Sequence, residues 1–172
     1  MDKKTRNLVL SALFTALTVI SLYVASVWPT GLFGLTAFAS LFGAAAIIDA
    51  GLRYGLYVYL ASCAVGLLLL PNRAASIVYI FLFGYYPAIK SIIERLNSKI
   101  AQWTLKLVAF NASLTVLWFL FREMVFNFGD NPPSLVLLYL GGSVVYALFD
   151  YGYTKVIWLY INRVSKFINK IR

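Results

Sequence analysis

LVLSALFTALTVISLYVASVW, residues 8–28, is the stretch that decides the fold class of this chain. It carries no charged side chain and is long enough to cross the hydrocarbon core of a bilayer as one helix. Basic residues precede it at residues 3–6, and a Pro-Thr-Gly turn follows at residues 29–31. A basic start before an apolar stretch also fits a signal peptide, but this stretch is long and no small-residue cleavage site ends it. We therefore predict a retained membrane-spanning helix.

The composition of the whole chain indicates the same class. Of its 172 residues, 62% are hydrophobic and 12% are charged, whereas soluble domains are about half apolar and about a quarter charged. A net charge of +9 would suggest nucleic-acid binding in a soluble protein. Here the basic residues lie beside apolar segments and no separate polar domain exists, so we expect contact with a lipid bilayer and its anionic headgroups, and no nucleic acid.

Turn signals and charges divide the chain into six apolar segments. The predicted spans are residues 8–28, 32–48, 54–70, 74–93, 107–121 and 135–160. Pro87 predicts a kink in the fourth span, and a polar link at residues 94–106 separates the fourth span from the fifth. No linker or change of composition divides the chain. We therefore predict an all-α membrane protein, in which residues 1–172 form a single bundle of six transmembrane helices.

The basic residues also predict the orientation of this bundle. If the N-terminus is inside, thirteen of the 15 Lys and Arg residues lie in cytoplasmic segments, and only Arg73 and Arg122 lie outside. Basic residues that flank membrane spans are retained on the cytoplasmic side. We therefore predict a multi-pass protein of a cell membrane with both termini cytoplasmic, and we expect that membrane to be a prokaryotic plasma membrane.

The sequence argues against catalysis and against a metal centre. It has no histidine, which is the commonest general base and the commonest metal ligand. Its single cysteine, Cys63, excludes an internal disulfide. It contains no P-loop, no Gly-x-Ser-x-Gly and no paired-carboxylate spacing. We predict no catalytic residue, no metal and no cofactor, and any ATPase would have to be a separate subunit.

A few charged residues fall inside or beside the predicted spans, where each needs a partner. Asp150 lies deep in the sixth span. Lys155 is five residues further on, which is a poor pairing distance along a helix, so Lys90 and Lys106 are equally good candidates. Lys90 and Glu94 are four residues apart and are predicted to pair along one helix face.

The first span resembles the first helix of S components, the substrate-binding subunits of energy-coupling factor (ECF) vitamin transporters. Its sequence SALFTA, residues 11–16, places Ala12 and Ala16 one helical turn apart. These two match the Ala-x-x-x-Ala pair that docks S components on a transmembrane T subunit. Chain length, span number and a second span rich in small residues also fit. The resemblance implies a T subunit and two ATPase subunits as partners, although such a pair of small residues also packs helices within one chain.

The resemblance further implies a vitamin-like small molecule bound near the outer face, among the outer halves of the last three spans. The residues that fall there are Asn72, Arg73, Tyr79, Trp118, Arg122, Glu123, Asn127, Asp130, Asn131, Tyr139 and Tyr146. Aromatic side chains of this set could stack on a flat ring, and Arg73 and Arg122 could pair with a carboxylate or phosphate. A second interpretation stays open, in which the aromatic residues anchor the protein at the interface and the arginines contact headgroups.

Two functions are therefore compatible with the sequence. The first is the substrate-capture subunit of an ECF-type importer. The second is a structural membrane protein without transport activity, such as the cell-shape factor MreD, which would act through helix–helix contacts and bind no small molecule. The polar loop at residues 122–134 favours the first, and the absence of a recognised substrate motif keeps the second open.

Overall fold

The computed structural model describes residues 2–126 and 134–165, and these residues are almost entirely helical, with no β-strand among them. The α-helices are α1 (Lys3–Val27), α2 (Leu32–Ala50), α3 (Leu52–Leu69), α4 (Arg73–Val78), α5 (Tyr86–Ile93), α6 (Lys99–Val125) and α7 (Leu135–Leu159). A 3₁₀ turn, Pro29–Gly31, joins α1 to α2. Two π-helical segments, Tyr79–Phe83 and Tyr160–Ser165, follow α4 and α7.

Six segments of the described chain are long and apolar enough to cross a membrane. They are Lys3–Val27, Leu32–Ala50, Leu52–Leu69, Arg73–Ile93, Lys99–Val125 and Leu135–Arg163. The prediction of an all-α chain with six such helices is confirmed for these residues.

The helices extend beyond several of the predicted span boundaries, most of all in the fifth span. The helix that contains it, α6, begins at Lys99 rather than at residue 107, and the Ser98 side chain caps it by accepting a hydrogen bond from the Ala101 N–H (3.4 Å). The predicted polar link therefore shrinks to residues 94–98, and Lys106 belongs to the helix.

The fourth span is interrupted where the sequence predicts a kink. The π-helical turn Tyr79–Phe83 ends in a bend at Gly84 and Tyr85, and α5 starts with Pro87 in its first turn. Proline has no N–H to donate to the preceding turn and its ring clashes with that turn, so the helix breaks before it. The Tyr59 ring also approaches the bend so closely that a Cβ at Gly84 would lie 2.8 Å from it. The bend thus requires both a glycine and a proline.

Spans that follow one another in the chain run antiparallel, and side-chain contacts fix the register of the last three. The Tyr85 hydroxyl lies 2.7 Å from the Ser113 hydroxyl across α5 and α6, and the Thr115 hydroxyl lies 2.7 Å from the Tyr139 hydroxyl across α6 and α7. The start of α1 and the end of α7 therefore share one end of the bundle, which we call the terminal end. The opposite end, where α1 turns into α2 and α3 into α4, is the loop end.

The helices are packed unevenly. α1, α2 and α3 pack closely on one another, and the broken fourth span is the most buried of the six. The last span is the least buried, and its exposed face carries Val136, Leu140, Val144 and Leu148 at four-residue intervals. An apolar stripe of this kind suits lipid or another helix rather than water.

The close packing of α2 on α3 depends on Gly55. A Cβ at this position would overlap the Ile47 side chain and lie 3.3 Å from the Gly43 carbonyl oxygen. We expect Gly55→Ala to lower the free energy of unfolding by about 1–3 kcal/mol, because the two helices must separate to admit the methyl group. Thermal unfolding in detergent micelles measures the change. Gly152→Ala is the matched control, since no atom lies within 4 Å of a Cβ there; an equal Tm for both variants would contradict the close approach of α2 and α3.

Candidate functional site

A cavity of about 380 Å³ lies between α2, the π-helical turn of the fourth span, α6 and α7. We call it the aromatic cavity because six of the described residues that line it are aromatic. The lining consists of Phe33, Gly34, Ala37, Leu82, Phe83, Phe110, Leu114, Phe126, Leu138, Gly142, Val145, Tyr146 and Phe149. The first turns of α2 and α7 and the last turns of α6 contribute to it, so it occupies the loop-end half of the bundle. Its volume is in the range of small-molecule pockets.

Two glycines and one ring stack shape this cavity. Gly34 has no atom within 4 Å of an ideal Cβ, so the missing side chain leaves open space. Gly142 lets α7 approach α6, because a Cβ there would lie 3.1 Å from Leu114. Deeper in the bundle, Phe110 and Tyr146 stack with their ring centroids 4.4 Å apart. The result is a space with flat aromatic walls.

An aromatic layer closes the cavity toward the terminal end. The Tyr86 ring, just after the bend in the fourth span, lies 5.8 Å from the Tyr146 ring and 5.3 Å from the Phe149 ring, and both of these line the cavity. The Tyr86 hydroxyl points the other way and donates a hydrogen bond to the Asp150 carboxylate. Tyr86 therefore joins the apolar cavity to a polar site beneath it.

That polar site is a group of four charged side chains, which we call the ion cluster: Lys90, Glu94, Lys106 and Asp150. The Lys90 and Lys106 ammonium groups lie 2.7 and 3.1 Å from the Asp150 carboxylate oxygens. The same two groups lie 2.5 and 2.9 Å from Glu94 Oε1. Lys90, Lys106 and Asp150 are each at most 4% exposed. The two positive and two negative charges neutralise one another, and buried ions are tolerated only when they are neutralised in this way.

The ion cluster confirms two predictions from the sequence. Both lysines proposed as partners of Asp150 pair with it, and Lys90 and Glu94 pair along one helix face. Lys155 instead extends over the Tyr151 ring, with its ammonium nitrogen 5.4 Å from the ring centroid.

Glu94 is the most accessible member of the ion cluster and lies between the fourth and fifth spans. Burial by itself would raise its pKa, but hydrogen bonds from Lys106 and Lys90 outweigh burial and hold the pKa of Glu94 below its ordinary value. Glu94 is therefore ionised at neutral pH and balances the second lysine. Among the described residues, no group of three or more His, Cys, Asp or Glu side chains could hold a metal ion.

The predicted substrate-binding residues lie in several places. Of those in the described ranges, Tyr146 alone lines the aromatic cavity. Trp118 does not line the cavity but contacts the lining residue Phe126, with their ring centroids 5.9 Å apart. The Arg122 guanidinium lies over the Trp118 ring at 5.8 Å. Trp118, Arg122 and Glu123 line a second cavity of about 380 Å³, formed where α6 kinks at Phe121.

The remaining predicted residues either have contacts elsewhere in the bundle or lie outside the residues that the structure describes. Asn72 caps α4, since its side-chain oxygen accepts a hydrogen bond from the Ala74 N–H (2.9 Å), and Arg73 is exposed beside it. Tyr79 is fully buried against Tyr59. Tyr139 pairs with Thr115 on α6, as described above. The remaining three, Asn127, Asp130 and Asn131, lie outside the described residues.

Ala12 and Ala16 are both exposed on α1. The structure therefore does not use this pair for packing within the described chain, which was one of the two interpretations that the sequence left open. The neighbouring Leu13 and Ile20 are exposed as well. This face of α1 is thus a flat apolar surface directed away from the bundle.

Sequence reasoning missed most of the cavity lining, although α7 carries a partial signal. Leu138, Gly142, Tyr146 and Phe149 follow the three- and four-residue spacing of one helix face. That spacing marks a face that packs inward, but it does not reveal that the space opposite Gly34 is empty. Comparison of the chain with protein-family models, curated proteins and solved structures gives no match.

Removal of the central carboxylate tests the ion cluster. Asp150→Asn leaves two buried ammonium groups with Glu94 as their remaining carboxylate. We expect the free energy of unfolding to fall by about 3–5 kcal/mol, the usual effect of breaking a buried ion pair. Thermal unfolding in detergent micelles measures the loss, with Glu123→Gln as the control because Glu123 is an exposed carboxylate on α6. Equal stability of the two variants would show that Asp150 is not a buried partner of the lysines.

Proposed function

We propose that this chain is an integral protein of a prokaryotic plasma membrane with both termini in the cytoplasm. Six helices long and apolar enough to cross a membrane support the proposal, because an even number of antiparallel spans brings both termini to one side. The distribution of charge supports it too. The basic residues at 3–6 and at 95–99, together with Arg53 and Arg163, lie at the terminal end of the bundle, and such residues are retained in the cytoplasm.

Cysteine labelling in intact cells tests this orientation. In a Cys63→Ala background, Thr30→Cys places a thiol at the loop end and Asn97→Cys places one at the terminal end; both positions are exposed. We expect a membrane-impermeant maleimide to label Thr30→Cys directly and Asn97→Cys only after permeabilisation. The opposite pattern would reverse the proposed orientation.

We further propose that the chain is the substrate-capture subunit of an ECF-type importer and binds a vitamin-like small molecule in the aromatic cavity. The cavity is the observation that carries this proposal. It has the volume of a small-molecule pocket and aromatic walls on which a ring can stack. In the proposed orientation it lies in the outer half of the membrane, where an importer meets its substrate.

The exposed pair Ala12 and Ala16 supports a T subunit as the partner. Small side chains allow a second helix to approach closely, and nothing in the described chain covers this face of α1. In this proposal the chain itself catalyses nothing, and two separate ATPase subunits act through the T subunit.

Co-purification with a generic ECF module tests the partner. We expect the unaltered chain to form a stable complex, and Ala12→Trp and Ala16→Trp to reduce recovery of the module at least about tenfold, because an indole holds the helices apart. Val108→Trp is the control, since Val108 is exposed on a different helix, α6. A module that fails to bind the unaltered chain, or that binds all three variants equally, would contradict the importer proposal.

The second candidate is a structural membrane protein of the MreD kind, which the exposed apolar stripe on α7 favours, because a partner helix could cover it. A thermal-shift panel of vitamins separates the two functions. A ligand that binds only the folded chain raises its Tm, so stabilisation by one compound supports the capture subunit. A flat panel, together with no ECF complex, would favour the structural protein.

A further inference from the structure

We infer that the aromatic cavity accepts the uncharged, ring-containing body of a molecule dissolved in the bilayer, and that this molecule reaches it sideways between α2 and α7. The inference rests on the proposed role of the cavity as the substrate site. It names the chemical class of the substrate and its route, neither of which follows from that role alone.

The described lining disfavours a charged group in the cavity. Among the thirteen described residues that line it none is charged, and the Tyr146 hydroxyl is the one polar side-chain group that these thirteen contribute. The ion cluster lies on the other side of the Tyr86 ring, and its charges already satisfy one another. A carboxylate or phosphate in the cavity would therefore be buried without a counter-ion, which is strongly unfavourable.

The walls favour a ring over a saturated chain. Phe33 and Phe126 stack with an interplanar angle of 28° near the loop end, and Phe110 and Tyr146 stack at 19° deeper in the bundle. Aromatic faces interact with another flat ring more strongly than buried area alone predicts. A saturated acyl chain would gain only the free energy of burying its apolar surface.

The opening of the cavity faces the side of the bundle. Its rim includes Phe33 and Gly34 on α2 and Val145 on α7, of which Phe33 is 39% and Val145 65% exposed. Val145 lies about 15 Å along α7 from its first residue, at the usual helical rise. The opening therefore extends from the loop end to a level that the acyl chains of a bilayer would occupy. A molecule dissolved in the outer leaflet has direct access to it.

Photoaffinity labelling in lipid nanodiscs tests the inference. The probe is a naphthalene that carries a diazirine and no charge, and its counterpart carries a sulfonate on the same ring. We expect the uncharged probe to label peptides around residues 33–37 and 138–149, and the sulfonate to label them at least about tenfold less, because its charge has no partner there.

Two glycine variants locate the labelled site. Gly34→Phe fills the open space of the cavity without meeting another atom at Cβ, and we expect it to reduce labelling at least about tenfold. Gly141→Phe is the matched control, because its Cβ also meets no atom but Gly141 does not line the cavity. Its labelling should equal that of the unaltered chain, and the Tm of both variants verifies that they fold.

Three outcomes would overturn the inference. The first is that the sulfonate probe labels the cavity peptides as strongly as the uncharged probe, or more strongly. The second is that Gly34→Phe is labelled as strongly as the unaltered chain. The third is that a saturated acyl-chain diazirine labels the same peptides as strongly as the uncharged naphthalene probe, and that excess naphthalene does not displace it. The last would identify the cavity as an ordinary lipid contact. Co-purification with the ECF module distinguishes failure of this inference from failure of the proposed function. If the chain binds the module but is not labelled, only the proposed substrate class is rejected. If the chain is labelled but does not bind the module, only the importer function is rejected.

Discussion

The pairing of Asp150 with Lys90 and Lys106 is the interaction on which the rest of the bundle depends. A carboxylate amid apolar helices is tolerated only if cations and hydrogen-bond donors surround it. Asp150 lies on α7 and its two lysines lie on α5 and α6, so one buried anion holds three helices at a common level. α7 belongs to the least buried of the six spans, so this attachment, together with the packing of Tyr146 and Phe149, constrains its position.

The same carboxylate links the two halves of the bundle. The Tyr86 hydroxyl donates a hydrogen bond to Asp150, and the Tyr86 ring packs on Tyr146 and Phe149. It can do so because the fourth span breaks just before it, at Gly84 and Tyr85, and so turns the ring into the centre. The buried charges are thereby kept toward the terminal end, and the space toward the loop end is left apolar. This separation is what makes the cavity suitable for an uncharged ring.

Chemical necessity made some features of the site predictable. A deep carboxylate needs a cation, so the partners of Asp150 could be narrowed to a few lysines, and a proline after a glycine predicted the break in the fourth span. The cavity was not predictable in this way. Polar and aromatic residues near the loops, such as Arg73 and Tyr139, were predicted to bind the substrate. The cavity is instead a volume left between Gly34 and the rings of α6 and α7. No residue pattern in the sequence indicates where packed helices leave a space unfilled.

The sequence by itself determined the helical class, the number of apolar spans and the need to neutralise the buried charges, because these follow from hydropathy and from the energy of an ion in an apolar medium. Only the tertiary structure decided where α6 begins, which face of α1 stays open and which rings enclose the cavity. These depend on how helices rotate and tilt against one another. That is a property of many weak packing contacts together, and no single segment of the chain specifies it.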